Sequence, residues 1–490
     1  MVAWVESDLD GWLEALSNRL AAGYHPQPGR PCSVPKPGFM IRPATVLEPE
    51  DAVIYATLVG RVYAQIREEV TQTEGKIDIA YRTSRDSASI DWTKHDFTVW
   101  REFRAKSIAA LKRGITQVVI TDITGFYDNI PVQKLIGELR RVDADEEALS
   151  LLQECLRKWC YPRDEGIPRG YSASDILAKL YLAPVDRKLA RDDYIHLRYV
   201  DDIRIFCANK LEAKKAIWLL SRQLFQRGLT LQSGKTKILS RSDARKEFDG
   251  VAEIIQELNS KLSEELVETL GGRYLRSAEI VSALADADSP PTPVLERAFE
   301  DYFGVDTTQA FDATLFHYLL KRLGKVESRI AVGYCLDALR GRPEETQHVL
   351  DYFTDVTLED EEYTQLVEYL GGEDAIYDFQ LFQILRWFLE SDTKHEQLLA
   401  LTRTWSHDRN RDPWLRSYAI SYLGRFGDSE DLLDIEQAYP DSTNDIERAD
   451  RVAALERMER SRRNAFYARV AGDGALPKRA AEVAKAPRRT

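Results

Sequence analysis

Three aspartates have the spacing to act together: Asp122, Asp201 and Asp202. The stretch VVITDITGFYDNI (118–130) reads as a buried strand that ends in a carboxylate. RYVDDIRIF (198–206) reads as two strand-forming runs interrupted by an Asp pair, as at the tip of a hairpin. A lone Asp-Asp pair is frequent in solvated turns. A strand-terminal Asp followed by strand–AspAsp–strand is more specific. It brings three carboxylates onto adjacent strand ends, where they can hold two divalent metals roughly 4 Å apart. Such a pair of ions makes a hydroxyl nucleophilic and stabilises the leaving group of an in-line displacement.

The segments around these aspartates must position them. GIPRGYSASDILAKLYL (166–182) is a Gly/Pro-rich loop that runs into an apolar-periodic helix. Gly166 and Gly170 permit tight turns and close approach of a ligand. Ser172 and Ser174 are suitable N-caps. A loop opening onto a helix N-terminus favours anionic groups. GLTLQSGKTKI (228–238) then puts Lys235 just after a short strand, with Lys237 beside it.

In this order the four segments resemble motifs A, B, C (YxDD) and D of the reverse transcriptases. The resemblance is close over residues ~100–240 and looser over 30–70. It implies that Asp122 and Asp201 bridge two Mg²⁺ ions, with Mn²⁺ as an alternative, that Asp202 assists, and that the carbonyl of Ile123 is a further ligand. It makes Lys235 a proton donor to the leaving pyrophosphate, with Lys237 as a competitor for the role. Tyr127, five residues after Asp122, matches the bulky aromatic under the sugar, where a ring excludes a 2′-hydroxyl. The alternative for Tyr127 is a core aromatic. Arg169 stands between Pro168 and Gly170, where the commonest family pattern has Gln, and places a cation beside the nascent base pair or phosphates. Arg42 is the candidate fingers residue for the incoming triphosphate; the alternative is a surface ion pair. Trp92, Phe97, Trp100 and Phe103 are expected to pack fingers against palm.

Composition bounds the rest. A chain of 490 residues holds two to four domains. A net charge of −13 confines any nucleic-acid channel to a local patch. Five Cys without paired CxxC spacing, no recognisable signal peptide and no membrane-spanning apolar run together point to a cytoplasmic protein. Cys155 and Cys160 read as ordinary thiols. The expected fold class is α+β: right-hand polymerase fingers and palm followed by an all-α, HEAT-like helical repeat domain. The expected divisions are an N-terminal helix and fingers (1–114), palm (115–250), helical connector and linker (251–296), helical repeats in place of a thumb (297–471) and a disordered basic tail (472–490). Helical segments in the C-terminal half repeatedly end in Gly, a C-cap signal.

A palm joined directly to helical repeats resembles the bacterial abortive-infection and defence-associated reverse transcriptases. No RNase H, integrase or His/Cys endonuclease pattern follows the palm, and the retron signatures are missing. That resemblance implies dNTPs as substrates, a DNA product, a non-coding RNA as template in some members, priming from a protein tyrosine in others, and a homo-oligomer with no membrane association. An RNA-copying mobile-element or maturase-like enzyme, and an interaction scaffold with a vestigial palm, are the alternatives. Intact Asp122, Asp201 and Asp202 speak against the scaffold.

Overall fold

The structure is a computed structural model that describes residues 9–84, 92–94, 97–160, 162–250, 254, 258, 292–304, 310–442 and 444–485. Two compact units emerge. One comprises 23–31 and 43–252; the other comprises 1–22, 32–42 and 253–490. The expected fingers segment is therefore divided, because helix α1 (Leu9–Gly23) and the tip of the hairpin β1 (Arg30–Lys36) and β2 (Met40–Val46) are grouped mainly with the second unit. Most of the expected connector, 251–296, lies outside the described residues, although α9 begins at Thr292.

The first unit runs α2 (Pro49–Val70), β3 (Arg82–Thr83), β4 (Thr93–Lys94), α3 (Phe97–Ala110), β5 (Gln117–Asp122), α4 (Val132–Arg141), α5 (Glu146–Trp159), α6 (Ser172–Arg191), β6 (Ile195–Tyr199), β7 (Asp202–Cys207), α7 (Lys210–Gln226), β8 (Lys237–Ser240) and α8 (Arg241–Asp249). Its centre is an antiparallel sheet in the order β6-β7-β5-β8. Strand alternation sorts the side chains. Val118, Leu197 and Phe206 face a core with Phe103 from α3 and Ala244 and Phe248 from α8. Helices α6 and α7 cover the sheet as well. Helix α6 is buried along most of its length, with apolar Ile176, Leu177, Leu180 and Tyr181 and also the polar Ser174, Asp175, Lys179 and Asp186. The outer edge of β6 is closed by residues 77–79, whose backbone exchanges hydrogen bonds with Arg198. Trp92 and Phe103 are buried as expected, Trp100 is partly exposed, and the Phe97 side chain lies outside the described set.

In the second unit α9 (Thr292–Phe303) is followed by α10 (Ala313–Lys325), α11 (Val332–Gly341), α12 (Thr346–Asp355), α13 (Asp360–Gly371), α14 (Asp378–Glu390), α15 (Glu396–His407), α16 (Pro413–Phe426), α17 (Ser429–Gln437), α18 (Asp445–Ala454), α19 (Arg460–Val470) and α20 (Ala475–Lys485). Packing joins α10 to α12, α12 to α14, α14 to α16, α16 to α18 and α18 to α20, and separately α11 to α13 and α13 to α15. Alternate helices thus stack in rows. Ties across the stacks recur at similar sequence offsets: Arg329–Glu362, Trp387–Thr354, Arg411–Asp378 and Arg403–Asp431.

Two expectations need correction. The segment 472–490 is not wholly a loose tail, because α20 packs on α18 with Ala480 and Ala481 buried. Small side chains at those positions let the helix seat closely, and its Lys and Arg residues masked that face in the sequence. The glycine caps hold only in part: Gly372 and Gly427 do cap α13 and α16, whereas Gly324 does not cap α10. Gly372 and Gly427 follow helices at φ −81° and −68°, and Gly324 lies inside α10, where a Cβ would come within 2.5 Å of the Asp355 side chain. Its role is close approach between helices. Within the described residues no helix is long and apolar enough to cross a membrane.

Candidate active site

The sheet register makes the site. Asp122 ends β5 directly opposite Asp202, which begins β7, while Asp201 lies in the two-residue turn between β6 and β7. Ile123 follows Asp122, flanked by ladder bonds from the Gln232 amide to the Asp122 carbonyl (2.8 Å) and from the Thr124 amide to the Thr230 carbonyl (2.9 Å). These bonds bring in the turn that carries Lys235, whose ammonium donates to Asp122 Oδ2. Lys237 points elsewhere, 4.0 Å from Glu247. Four sequence-derived positions, Asp122, Asp201, Asp202 and Lys235, therefore converge, and Ile123 adjoins them.

The turn itself is strained. Val200 has φ +56°, a left-handed conformation that a β-branched residue rarely adopts. A two-residue hairpin demands positive φ, normally supplied by Gly or Asn. Here a buried charge network compensates. Arg198 Nη1 donates to the Val200 carbonyl (2.9 Å), while the same guanidinium binds Asp186 through Nε (3.1 Å) and Nη2 (2.7 Å) and Asp78 through Nη2 (2.8 Å). Lys179 completes the group, donating to Asp78 (2.8 Å) and to the Ala80 carbonyl (2.8 Å). Burial alone would raise the Asp186 carboxyl, but the Arg198 charge outweighs it and holds Asp186 below the usual range. Sequence reasoning missed these residues. Their signal was charge at 179 and 186, seven apart on one face of α6, and Arg198 in a buried strand.

Electrostatics fit a cation. Burial raises the Asp202 carboxyl most; Arg204 opposes this, Asp122 and Asp201 add to it, and the result is about 6. Asp201 is raised for the same first reason, with Asp122 next. Arg204, sandwiched between Phe103 and Phe248 at 4.1 and 4.2 Å, is itself lowered to about 10 by burial. An all-carboxylate group held against its own repulsion is a donor set suited to Mg²⁺.

Tyr127 is buried, and its hydroxyl donates to Asp175 Oδ1 (2.7 Å). Arg169 binds Asp128 (3.2 Å) and lies over the Tyr127 ring at 5.0 Å. Amides of Gly166 and Ile167 bond to the carbonyls of Ile130 and Tyr127, which stitches the 166–170 loop to this segment. Gly166 is required there: at φ +104° a Cβ would sit 3.2 Å from the Asp128 carbonyl oxygen. Gly170 turns the chain at φ +85° into α6. The N-cap of α6 is Tyr171 and not a serine; Ser174 instead is buried, bonding to Tyr55 and the Pro168 carbonyl. Arg42 sits exposed on β2, in a stretch counted with the helical unit.

Residues 63–273 match the family described as reverse transcriptase (RNA-dependent DNA polymerase). The chain carries a reverse transcriptase domain. The match supports nucleic-acid polymerase activity of that general kind for the domain. No curated protein gives a significant sequence match. Solved structures similar to the chain include telomerase from Candida albicans with a TWJ fragment of telomeric RNA (12% identity, 74% of this chain and 70% of that one, TM-score 0.33). Telomerase from Candida tropicalis is similar with a TWJ fragment of telomeric RNA (11%, 93% and 67%, TM-score 0.32) and in its apo form (11%, 93% and 73%, TM-score 0.33).

The raised Asp202 carboxyl gives a pH prediction for metal-free protein. Its folded pKa lies above the unfolded value, so between about pH 4 and 6 the folded state binds more protons and stability falls as pH rises. Asp202→Asn should therefore raise the melting temperature at pH 7–8 in EDTA and leave it little changed near pH 4. Equal shifts at both pH values in a thermal-unfolding series would contradict the assigned repulsion.

Proposed function

We propose that this chain is a DNA polymerase of the reverse transcriptase kind that joins dNTPs at Asp122, Asp201 and Asp202 and acts in antiviral defence. The observation that carries the reading is the meeting of these carboxylates with Lys235 at the ends of β5 and β7. Asp122, Asp201 and Asp202, with the Ile123 carbonyl, would hold two Mg²⁺ ions, which supply activation of the attacking hydroxyl and charge neutralisation at the pyrophosphate. Lys235 holds a proton beside Asp122, available to the leaving group. Tyr127 is fixed by Asp175 as a rigid wall for the sugar. Arg169, tied to Asp128, places a cation where the commonest family pattern has Gln.

The defence role rests on the resemblance of a palm joined to HEAT-like helices, and the stacked rows of the second unit support it. In that reading the second unit replaces the thumb, makes the homo-oligomer contacts and offers a priming tyrosine. Tyr352, Tyr369, Tyr377 and Tyr422 bury their rings and use their hydroxyls inside the unit. Half-buried Tyr318, Tyr334, Tyr363 and Tyr418 are the better candidates. A phenol oxygen would replace a 3′-hydroxyl as nucleophile, forming a phosphodiester to the tyrosine and releasing pyrophosphate. A mobile-element or maturase-type enzyme, copying RNA from an added primer, is the second reading, favoured by the same domain match.

Asp201→Ala should abolish Mg²⁺-dependent dNTP incorporation while the circular dichroism spectrum is kept; synthesis by a folded Asp201→Ala protein would remove the site assignment. In the same assay Tyr127→Val should raise ribonucleotide use relative to deoxynucleotide, and an unchanged ratio would leave Tyr127 as packing alone. Mass spectrometry of protein digested after synthesis should find nucleotide on one of the four half-buried tyrosines. DNA made only from an added primer–template, with no modified peptide, would favour the mobile-element reading.

A further inference from the structure

A second cluster of ligating side chains lies within the helical unit. His317 projects from α10, Glu345 ends the short 3₁₀ turn Pro343–Glu345, and His348 follows three residues later in the first turn of α12. His317 Nε2 meets Glu345 Oε2 at 2.5 Å. The His317 and His348 rings stack with centroids 3.6 Å apart and planes inclined by 27°. One donor atom from each of the three residues lies within 4.8 Å of the others. The Glu345 side chain is only 7% exposed, so its carboxylate is held where charge is costly to bury.

We infer that His317, Glu345 and His348 form a divalent transition-metal site, with Zn²⁺ as the fitting ion. Two imidazoles and one carboxylate are a nitrogen-rich set that suits Zn²⁺, whereas Mg²⁺ and Ca²⁺ take oxygen ligands. Bonds of about 2.0–2.2 Å place tetrahedral donors ~3.4 Å apart, so the widest pair needs to close by up to about 1.4 Å, the His317–Glu345 pair to open by about 0.9 Å, and the stacked imidazoles to turn toward a common point. Three protein ligands leave a fourth position for water or an added ligand. Held this way, the ion would tie α10 to α12 at the start of their stacked row. The same array contains a comparison. His407 Nε2 pairs with Asp434 Oδ2 at 2.6 Å across an almost equal sequence offset, but there the carboxylate is exposed. That pair is an ordinary tie between stacked helices. At His317 a second imidazole is added and the acid is buried, which a simple tie does not require.

The test uses the full chain, stripped with EDTA and equilibrated with Zn²⁺ in excess Mg²⁺, which occupies the palm carboxylates. Zinc is then counted by mass spectrometry after gel filtration, and Co²⁺ is titrated in parallel for its ligand-field absorption. Wild type should retain one equivalent with a low-symmetry Co²⁺ spectrum, and Asp201→Asn should retain the same. His317→Gln, Glu345→Gln and His348→Ala should each weaken binding by about tenfold or more. Should His317→Gln fail to fold, His348→Ala decides, since it leaves the His317–Glu345 bond in place. No retained zinc in wild type, or equal zinc in folded His348→Ala, would overturn the site. So would loss of the zinc in Asp201→Asn, because the ion would then belong to the palm.

Discussion

The guanidinium of Arg198 is the constraint on which the geometry of the three aspartates depends. It is buried between two carboxylates, Asp78 and Asp186, and its remaining donor holds the carbonyl of Val200. That one contact fixes the turn of the β6–β7 hairpin in a conformation that valine would otherwise avoid. Removing one partner of such a buried group typically costs about 3–5 kcal/mol, because it leaves an uncompensated charge. Lys179 and Asp186 from α6 and Asp78 from the covering segment all contribute to the same group, so helix, sheet edge and turn are locked together. The register then follows: with the turn fixed, Asp202 stands opposite Asp122 and Asp201 is presented beside them.

Two layers of charge therefore work in opposite senses. The inner layer, around Arg198, is compensated and rigid. The outer layer, of Asp122, Asp201 and Asp202, is under-compensated: Arg204 and Lys235 offset only part of the repulsion, and the carboxyls of Asp201 and Asp202 are raised. A rigid frame holding repelling carboxylates is a donor arrangement suited to a divalent cation.

The strands that carry the aspartates were legible because their signals are local. A strand-terminal Asp, an Asp pair between two strand-forming runs and a helix after a Gly/Pro loop each follow from a few neighbouring residues, and β5, β6, β7 and α6 stand where those patterns put them. The Arg198 network was not legible, since Asp78 reaches it through tertiary packing and nothing in sequence order links the two. The cap of α6 departs from the serine pattern for a similar reason: burial draws the Ser174 hydroxyl to Tyr55 and the Pro168 carbonyl. In the helical half, period and length revealed helices, but not that Gly324 is there for close approach or that α20 docks on α18. Those depend on which helix meets which, and the apolar periodicity does not specify a partner.

The central claim is that the Arg198 network holds the three aspartates in a metal-binding arrangement. Mn²⁺ affinity measured by electron paramagnetic resonance, in wild type and in Arg198→Lys, tests it most directly, with Asp78→Asn as the milder variant if Arg198→Lys does not fold. A lysine keeps the charge but cannot bind Asp78, Asp186 and the Val200 carbonyl at once. The account predicts Mn²⁺ binding weakened by about 10–100-fold in a protein that remains folded. Unchanged Mn²⁺ affinity in a folded variant would contradict it.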